Sequence, residues 1–141
     1  MRGHLAVATT EIAAPPQRVW QVLLDPQSVR KYMFGSDVVT DWRPGSPILF
    51  RGEWEGRPYE DKGVIVEVNE PVLLQFTHYS PLSGAPDIPA SYHTLTYELE
   101  PIHIGTRVTL TQDNNDSEAA ADHSAGMWRQ VLDSVKAIVE R

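Results

Sequence analysis

Alternating apolar and polar residues predict a run of β-strands through the middle of the chain. In residues 48–54, one phase holds Ile48, Phe50 and Trp54, and the other holds charged residues such as Arg51 and Glu53. A period of two places one set on the covered face of a sheet and the other toward water. The alternation recurs, with turn residues between the segments, over 64–68, 74–78, 93–99 and 107–112, and residues 5–12 form a further strand candidate. Successive hairpins of this kind predict an antiparallel meander.

Apolar residues at helical spacing predict two short helices near the start of the chain and one long helix at its end. Pro15 and Pro16 precede the first apolar stripe, and Asp25 with Pro26 suits the N-cap and first turn of a second helix over 26–32. The long helix is predicted from a cap at Asp116 or Ser117 to about Glu140. Its apolar stripe is wide enough to cover a sheet, and it comprises Met127, Trp128, Val131, Leu132, Val135, Ile138 and Val139.

The predicted fold class is α+β, with a curved antiparallel sheet of about six strands, two short N-terminal helices and one long C-terminal helix across the open side of the sheet. Because strands twist, such a sheet curls and leaves a space under the helix that side chains do not always fill. Concave apolar spaces of this kind are typical ligand sites. Segment 80–90, which contains three prolines, is predicted to be neither helix nor strand. We expect this segment, with Met33 and Phe34, to gate the cavity.

Composition and charge narrow the range of functions. A length of 141 residues predicts one domain over 1–141. With 12 Lys and Arg against 19 Asp and Glu, the net charge of −7 argues against nucleic-acid binding and against docking on an anionic membrane. The absence of cysteine excludes disulfides, thiol nucleophiles and cysteine zinc sites. We find no signal peptide and no apolar run of about 18 residues, so we expect a cytoplasmic protein without membrane insertion.

Several motifs, in order along nearly the whole chain, resemble those of one known family. They are APPQRVW at 14–20 with DP at 25–26, DWRPG at 41–45, YEDKGVIVEV at 59–68, and GMWRQVL at 126–132, the last with one residue inserted before the Trp. The set is similar to that of the activator of 90-kDa heat-shock-protein ATPase homologue family. This resemblance implies the START-like helix-grip fold, and the family name implies co-chaperone activity. The usual family pattern has a His at the place where this chain has Gln112.

The inward phase of the strands and one face of the last helix together define a set of candidate ligand-binding residues. The set is Met33, Phe50, Trp54, Val66, Leu74, Phe76, His78, His93, Leu95, Tyr97, Leu110, Gln112, Met127, Val131 and Ser134. His78, His93 and Gln112 are the informative members, since burying an unpaired polar group costs on the order of 1–3 kcal/mol. Two interpretations stay open. These side chains hydrogen-bond one another or lie in water at a sheet end, or they orient a polar group of a bound molecule.

We therefore expect a protein that binds a small, largely apolar molecule, such as a lipid, a polyketide or an aromatic compound, without a cofactor and as a monomer or weak homodimer. One alternative is an enzyme, since some START-like relatives resemble polyketide cyclases or hydrolases, and His78, His93 and Tyr97 would then move protons. The other alternative is a co-chaperone-like interaction module.

Metal binding and paired-carboxylate catalysis are not predicted. The five histidines lack the HExxH spacing of a zinc site, and no cysteine is present to assist them. Glu53, Glu55, Glu60 and Asp61 could suggest a carboxylate pair for acid–base work. We interpret them instead as solvated surface charges that nearby basic residues balance.

Overall fold

Seven antiparallel strands form one sheet in a computed structural model of the chain, which describes residues 2–141. The strands are β1 (His4–Ile12), β2 (Asp37–Val39), β3 (Pro47–Trp54), β4 (Arg57–Asn69), β5 (Leu73–His78), β6 (His93–Ile102) and β7 (Gly105–Asn115). The helices are α1 (Pro16–Leu24), α2 (Pro26–Tyr32) and α3 (Glu118–Val139). The order across the sheet is β1-β7-β6-β5-β4-β3-β2, so β2 to β7 form a meander and β1 closes its far edge.

The predicted α+β helix-grip architecture is confirmed, with one strand more than expected. The additional strand is the three-residue β2, which pairs with β3 at the edge of the sheet. Asp25 caps α2 as predicted, because its carboxylate accepts the backbone N–H of Ser28 at 3.1 Å. Of the two candidate caps for α3, Ser117 is the one used, and its hydroxyl accepts the N–H of Ala120 at 3.0 Å.

Segment 80–90 is more regular than predicted. It contains one short 3₁₀ helix, Pro81–Ser83, and leads into a second, Pro89–Ser91. Each begins with a proline, whose fixed φ and missing N–H suit the first position of a helical turn. The prolines that argued against helix therefore start two single turns rather than an irregular loop.

The core lies between the concave face of the sheet and the inner face of α3. Trp128, Val131, Leu132 and Val135 follow helical spacing and are almost fully buried. They belong to one cluster with inward residues of β1 and β7, which are Ala6, Ala8, Val108 and Leu110. Removing a large apolar side chain from water contributes about 1.5–3 kcal/mol, so this stripe fixes α3 on the sheet. Neither α3 nor any other helix within residues 2–141 is long and apolar enough to cross a membrane.

The inward phase of β4 differs from the prediction. Ile65 is buried, whereas Val64 and Val66 are each close to half exposed. The pairing of β4 with β5 shifts register at this point, between Ile65 and Glu67. The expectation that Val66 lines the cavity is therefore wrong, since its side chain lies on the outer face of the sheet.

Trp54 also lies outside the interior, for a different reason. It has the inward phase of β3, but it is 59% exposed. Trp54 pairs with Arg57 next to the β3–β4 turn, and its neighbours there are exposed too. The strand alternates as predicted but extends beyond the part of the sheet that the helices cover, so the expectation that Trp54 lines the cavity is wrong.

The segment between β5 and β6 is fastened to the sheet by several side chains. Arg2 Nη2 donates to the carbonyl oxygens of Pro89 at 2.7 Å and Tyr92 at 3.0 Å. Lys62 Nζ lies 2.5 Å from Asp87 Oδ2, and the Tyr92 hydroxyl donates to the other Asp87 oxygen at 2.7 Å. These contacts hold the segment against the sheet end where the cavity lies.

Candidate ligand-binding cavity

A cavity of about 280 Å³ lies between one end of the sheet and Met127 and Trp128 of α3. Its walls come from the strands β4 to β7, from α3, from the residues after α2 and from the segment after β5. The lining residues are Met33, Phe34, Ser36, Tyr59, Asp61, His78, Ser80, Ser83, Ser91, His93, Gln112, Met127 and Trp128. The lining is richer in polar groups than the sequence predicted.

Asp61 and His78 form a largely buried pair in this lining. Asp61 Oδ2 lies 3.2 Å from His78 Nε2, and the two side chains are 15% and 12% exposed. The Phe50 ring packs edge-on against the imidazole, with 5.9 Å between ring centroids. Because an ionised carboxylate only accepts hydrogen bonds, the donor in this contact is Nε2–H of His78.

Gly63 allows β4 to approach the end of β5 closely enough for this pair to form. A Cβ at this position would overlap the carbonyl oxygen of Thr77. The Thr77 hydroxyl accepts the backbone N–H of Val64 at 2.9 Å, and backbone pairing resumes between Lys62 and Tyr79. A glycine inside a strand commonly marks such a close backbone approach.

His93 is held by the backbone of β7. Its Nδ1 lies 2.8 Å from the carbonyl oxygen of Asp113, and the Asp113 carboxylate accepts the N–H of Thr94 at 2.5 Å. A carbonyl oxygen only accepts, so Nδ1 donates and Nε2 is the acceptor of the neutral ring. His93 lies directly opposite His78 in the β5–β6 register. Each histidine is thus bonded to a group other than its neighbour, and the structure shows no hydrogen bond between the two rings.

Unpartnered buried polar atoms concentrate at this cavity. Among the side chains of residues 2–141, four buried nitrogen or oxygen atoms have no hydrogen-bond partner. Three of them, Asp61 Oδ1, Gln112 Oε1 and Trp128 Nε1, belong to residues that line the cavity, and the fourth is Trp20 Nε1. Such groups are rare in native proteins, since each costs about 1–3 kcal/mol. Three of the four atoms thus belong to residues around one space.

Apart from Trp54 and Val66, the predicted candidate residues divide into three groups. Met33, His78, His93, Gln112 and Met127 line the cavity. Phe50, Leu74, Phe76, Leu95, Tyr97, Leu110 and Val131 are buried in the core outside its lining. Ser134, two turns after Met127 on α3, is half-buried and also outside the lining. The core members have the predicted inward phase, but the sheet and α3 close on each other along most of their length.

Asp61 and Trp128 are the important residues that the sequence analysis did not assign to the cavity. Asp61 was interpreted as a solvated charge, and that interpretation is wrong, because the true phase of β4 turns it inward together with Tyr59. Glu53, Glu55 and Glu60 are exposed, as expected. Trp128 was assigned only to the apolar stripe of α3, and its position over the open end of the sheet depends on where α3 crosses.

Burial affects the tyrosines near the core. It raises the pKa of Tyr97, and it raises that of Tyr32 well above its usual value. The Tyr32 hydroxyl donates to the carbonyl oxygen of Leu23 at 2.6 Å. Both phenols therefore stay protonated at neutral pH. Within residues 2–141 no group of three His, Asp or Glu side chains lies close enough together to hold a metal ion.

A curved antiparallel sheet gripping a long C-terminal helix, with a cavity between them, defines a START-like helix-grip protein. Within that class, the chain matches the family described as Activator of Hsp90 ATPase homolog 1-like protein over residues 13–140, and it belongs to this family. Among curated proteins, none matches the sequence.

Solved structures support the same assignment. The solution structure of ChR145 from Cytophaga hutchinsonii is 44% identical, covers 99% of this chain and 97% of its own, and superposes with a TM-score of 0.86. Protein MLL2253 from Mesorhizobium loti, at 20% identity and 98% coverage of both chains, has a TM-score of 0.77. The Aha1 dimer from Colwellia psychrerythraea, at 18% identity with coverages of 97% and 96%, has a TM-score of 0.73. The last two show the fold alone.

Proposed function

We propose that this protein binds a small, largely apolar molecule in the cavity between the sheet and α3. The observation that carries the proposal is that three unpartnered buried polar atoms belong to residues lining this one cavity, Asp61, Gln112 and Trp128. A bound molecule that hydrogen-bonds to these atoms removes the free-energy cost of leaving them unpartnered. Apolar contacts with Met33, Phe34 and Met127 supply the rest of the affinity.

The cavity volume limits the size of the molecule. About 280 Å³ lies just below the ~300 Å³ at which pockets for drug-sized ligands begin. The proposal is therefore for a single ring system or a short chain with one polar group. A sterol or a long-chain lipid would need the segment after β5 to move aside.

NMR titration of the ¹⁵N-labelled protein with small aromatic and short-chain probes tests the proposal. Saturable shifts should cluster around the cavity, and the indole N–H resonance of Trp128 should move as it gains an acceptor. The absence of saturable shifts at the cavity, or shifts confined to the outer face of the sheet, would contradict the proposal.

Two matched tryptophan variants sharpen this test. Trp20 and Trp128 each carry a buried indole N–H without a partner, but only Trp128 lines the cavity. Trp128→Phe should weaken probe binding roughly two- to tenfold, the value of one net hydrogen bond. Trp20→Phe makes the same chemical change elsewhere in the core and should leave the affinity unchanged.

A second candidate function, a general-base enzyme, is supported by the contact between Asp61 and His78. A carboxylate bonded to one imidazole nitrogen fixes the tautomer and stabilises the imidazolium that forms when the other nitrogen accepts a proton. The substrate would be a polyketide-like carbonyl compound, deprotonated by His78 Nδ1. Turnover that is lost in His78→Ala and reduced in Asp61→Asn would support this candidate. Equal rates in both variants and the wild type would exclude it. Tyr97 does not suit the role of a second base, because burial raises the pKa of its phenol and keeps it protonated.

The family description supports a third candidate, an interaction with Hsp90. On the outer face of the sheet, Val64 and Ile88 are exposed beside one groove, as an interaction surface would require. Under this candidate, the purified chain stimulates the ATPase of purified Hsp90, and Val64→Asp with Ile88→Asp abolishes the effect. If the ATPase of Hsp90 is not stimulated at saturating concentrations of the chain, this candidate is excluded.

A further inference from the structure

The cavity lining within residues 2–141 holds one carboxylate, and it has no lysine or arginine that could balance an anion. Its ionisable residues within the described chain are Tyr59, Asp61, His78 and His93, and neither Lys nor Arg is among them. Lys62, the nearest lysine along β4, pairs with Asp87 at the surface. A carboxylate that entered would leave water without gaining a lysine or arginine partner, and it would be repelled by Asp61.

The buried unpartnered atoms on the lining residues are mainly hydrogen-bond acceptors. Asp61 Oδ1 and Gln112 Oε1 are buried and unpartnered. The Nδ1–H of His93 donates to the carbonyl oxygen of Asp113, so in the neutral ring Nε2 is a hydrogen-bond acceptor. The one buried unpartnered donor is the indole N–H of Trp128. A ligand matched to this set must donate more hydrogen bonds than it accepts and must accept at least one.

From this inventory we infer that the polar group taken by the cavity is neutral and hydrogen-bond-donating, as in a primary amide or an alcohol, and that carboxylates are rejected. The inference rests on the proposed ligand-binding function and specifies its ligand class. A primary amide matches these unpartnered groups, because its NH₂ group donates two hydrogen bonds and its carbonyl oxygen accepts one from the indole N–H of Trp128. The carboxylate of the same shape has no proton to donate, so Asp61 Oδ1 stays unpartnered and the anion is repelled.

Two pairs of probes, alike in shape within each pair and small enough for the cavity, test the inference. They are para-ethylbenzamide against para-ethylbenzoate, and hexanamide against hexanoate, titrated at pH 7.5 by NMR. Each amide should bind at least about tenfold more tightly than its acid, a difference of about 1.4 kcal/mol. If an acid binds as tightly as its amide, the inference is overturned while the proposed function stands. If none of the four probes produces saturable shifts at the cavity, the proposed function fails and the inference falls with it.

Variants of the neighbouring residues Asp61 and Glu60 test whether the carboxylate of Asp61 causes the preference for amides over acids. Asp61→Asn removes the charge inside the cavity, and Glu60→Gln removes one on the outer face, where Glu60 pairs with Arg51 at 2.8 Å. Asp61→Asn should reduce the preference for the amide severalfold by strengthening acid binding, and Glu60→Gln should leave it unchanged. Equal effects of the two variants would overturn the role of Asp61. If Asp61→Asn does not fold, as judged by its NMR spectrum, the wild-type comparison of the probe pairs still decides the inference.

Discussion

Asp61 Oδ2 lies 3.2 Å from His78 Nε2 across two strands that do not pair regularly at this point. The contact depends on Gly63, the residue midway between Asp61 and the buried Ile65. With a side chain at position 63, β4 could not approach Thr77, and Asp61 would move away from His78. The polar side of the cavity is therefore built by backbone proximity as much as by the choice of side chains.

Replacement of Gly63 tests this dependence. Gly63→Ala places a methyl group against the carbonyl of Thr77, and overpacking of this kind costs about 1–3 kcal/mol. We expect a lower free energy of unfolding in urea and the loss of probe binding at the cavity. Gly126→Ala is the control, because Gly126 lies in α3 with nothing within 4 Å of the added carbon. That change should stabilise the protein by about 0.5–1 kcal/mol, the advantage of Ala over Gly in a helix. A neutral Gly63→Ala would show that β4 has room to move.

The sequence predicted the elements well because their signals are local. Alternation located the strands other than the three-residue β2, and the caps at Asp25 and Ser117 follow from side-chain chemistry alone. The phase of β4 could not be predicted, since Val64, Ile65 and Val66 are all apolar and β-branched, and such a run suits either face. The wrong phase misplaced Val66, and Asp61, interpreted as a surface charge balanced by basic neighbours, lies on the true inward phase.

Cavity membership was harder to predict than burial. Leu95 and Gln112 lie opposite each other in register, yet only Gln112 lines the cavity. Where the sheet and α3 separate depends on the crossing of α3 and on strand curvature, which no local pattern encodes. The three polar residues predicted on the inward phase of the strands, His78, His93 and Gln112, all line the space, because a polar residue on an apolar phase marks the place where packing stops.

Gln112 allows stability and binding to be separated. Its amide oxygen is buried and unpartnered, so Gln112→Leu removes a desolvated acceptor and keeps a similar volume. We expect the free energy of unfolding to rise by about 1 kcal/mol, while the affinity for para-ethylbenzamide falls. Urea denaturation and NMR titration measure the two effects. Gln130→Leu, on the exposed face of α3, should change neither. A Gln112→Leu variant that loses stability would indicate that the amide has a structural partner.

Glu140 predicts a pH dependence of stability. Its carboxylate accepts the backbone N–H of Ala13 at 2.9 Å and pairs with Lys136 at 2.9 Å, and the Ala13 hydrogen bond is the main reason that the pKa of Glu140 is lowered. A folded-state pKa below the unfolded value means that this stabilisation is fully present above the unfolded pKa of about 4.3 and is lost as the pH falls through the folded one. Glu140→Gln should therefore be less stable than the wild type at pH 7, and the gap should close toward pH 3. A gap that is constant with pH would contradict the assignment.

We expect the ion pair between Lys62 and Asp87 to restrain the segment between β5 and β6, which covers the cavity. The pair lies at the surface, and the pKa of Asp87 is lowered chiefly by its contact with Lys62. It links β4 to the segment whose Ser80, Ser83 and Ser91 line the cavity. We expect Lys62→Met to leave global stability nearly unchanged, since exposed pairs contribute little. Amide hydrogen exchange over residues 83–91 should become faster, because local opening there loses one restraint. Arg51→Met, which breaks the comparably exposed pair with Glu60, is the control and should not change exchange in this segment. Equal exchange in the two variants would mean that Arg2 and Tyr92, rather than Lys62, hold the cover in place.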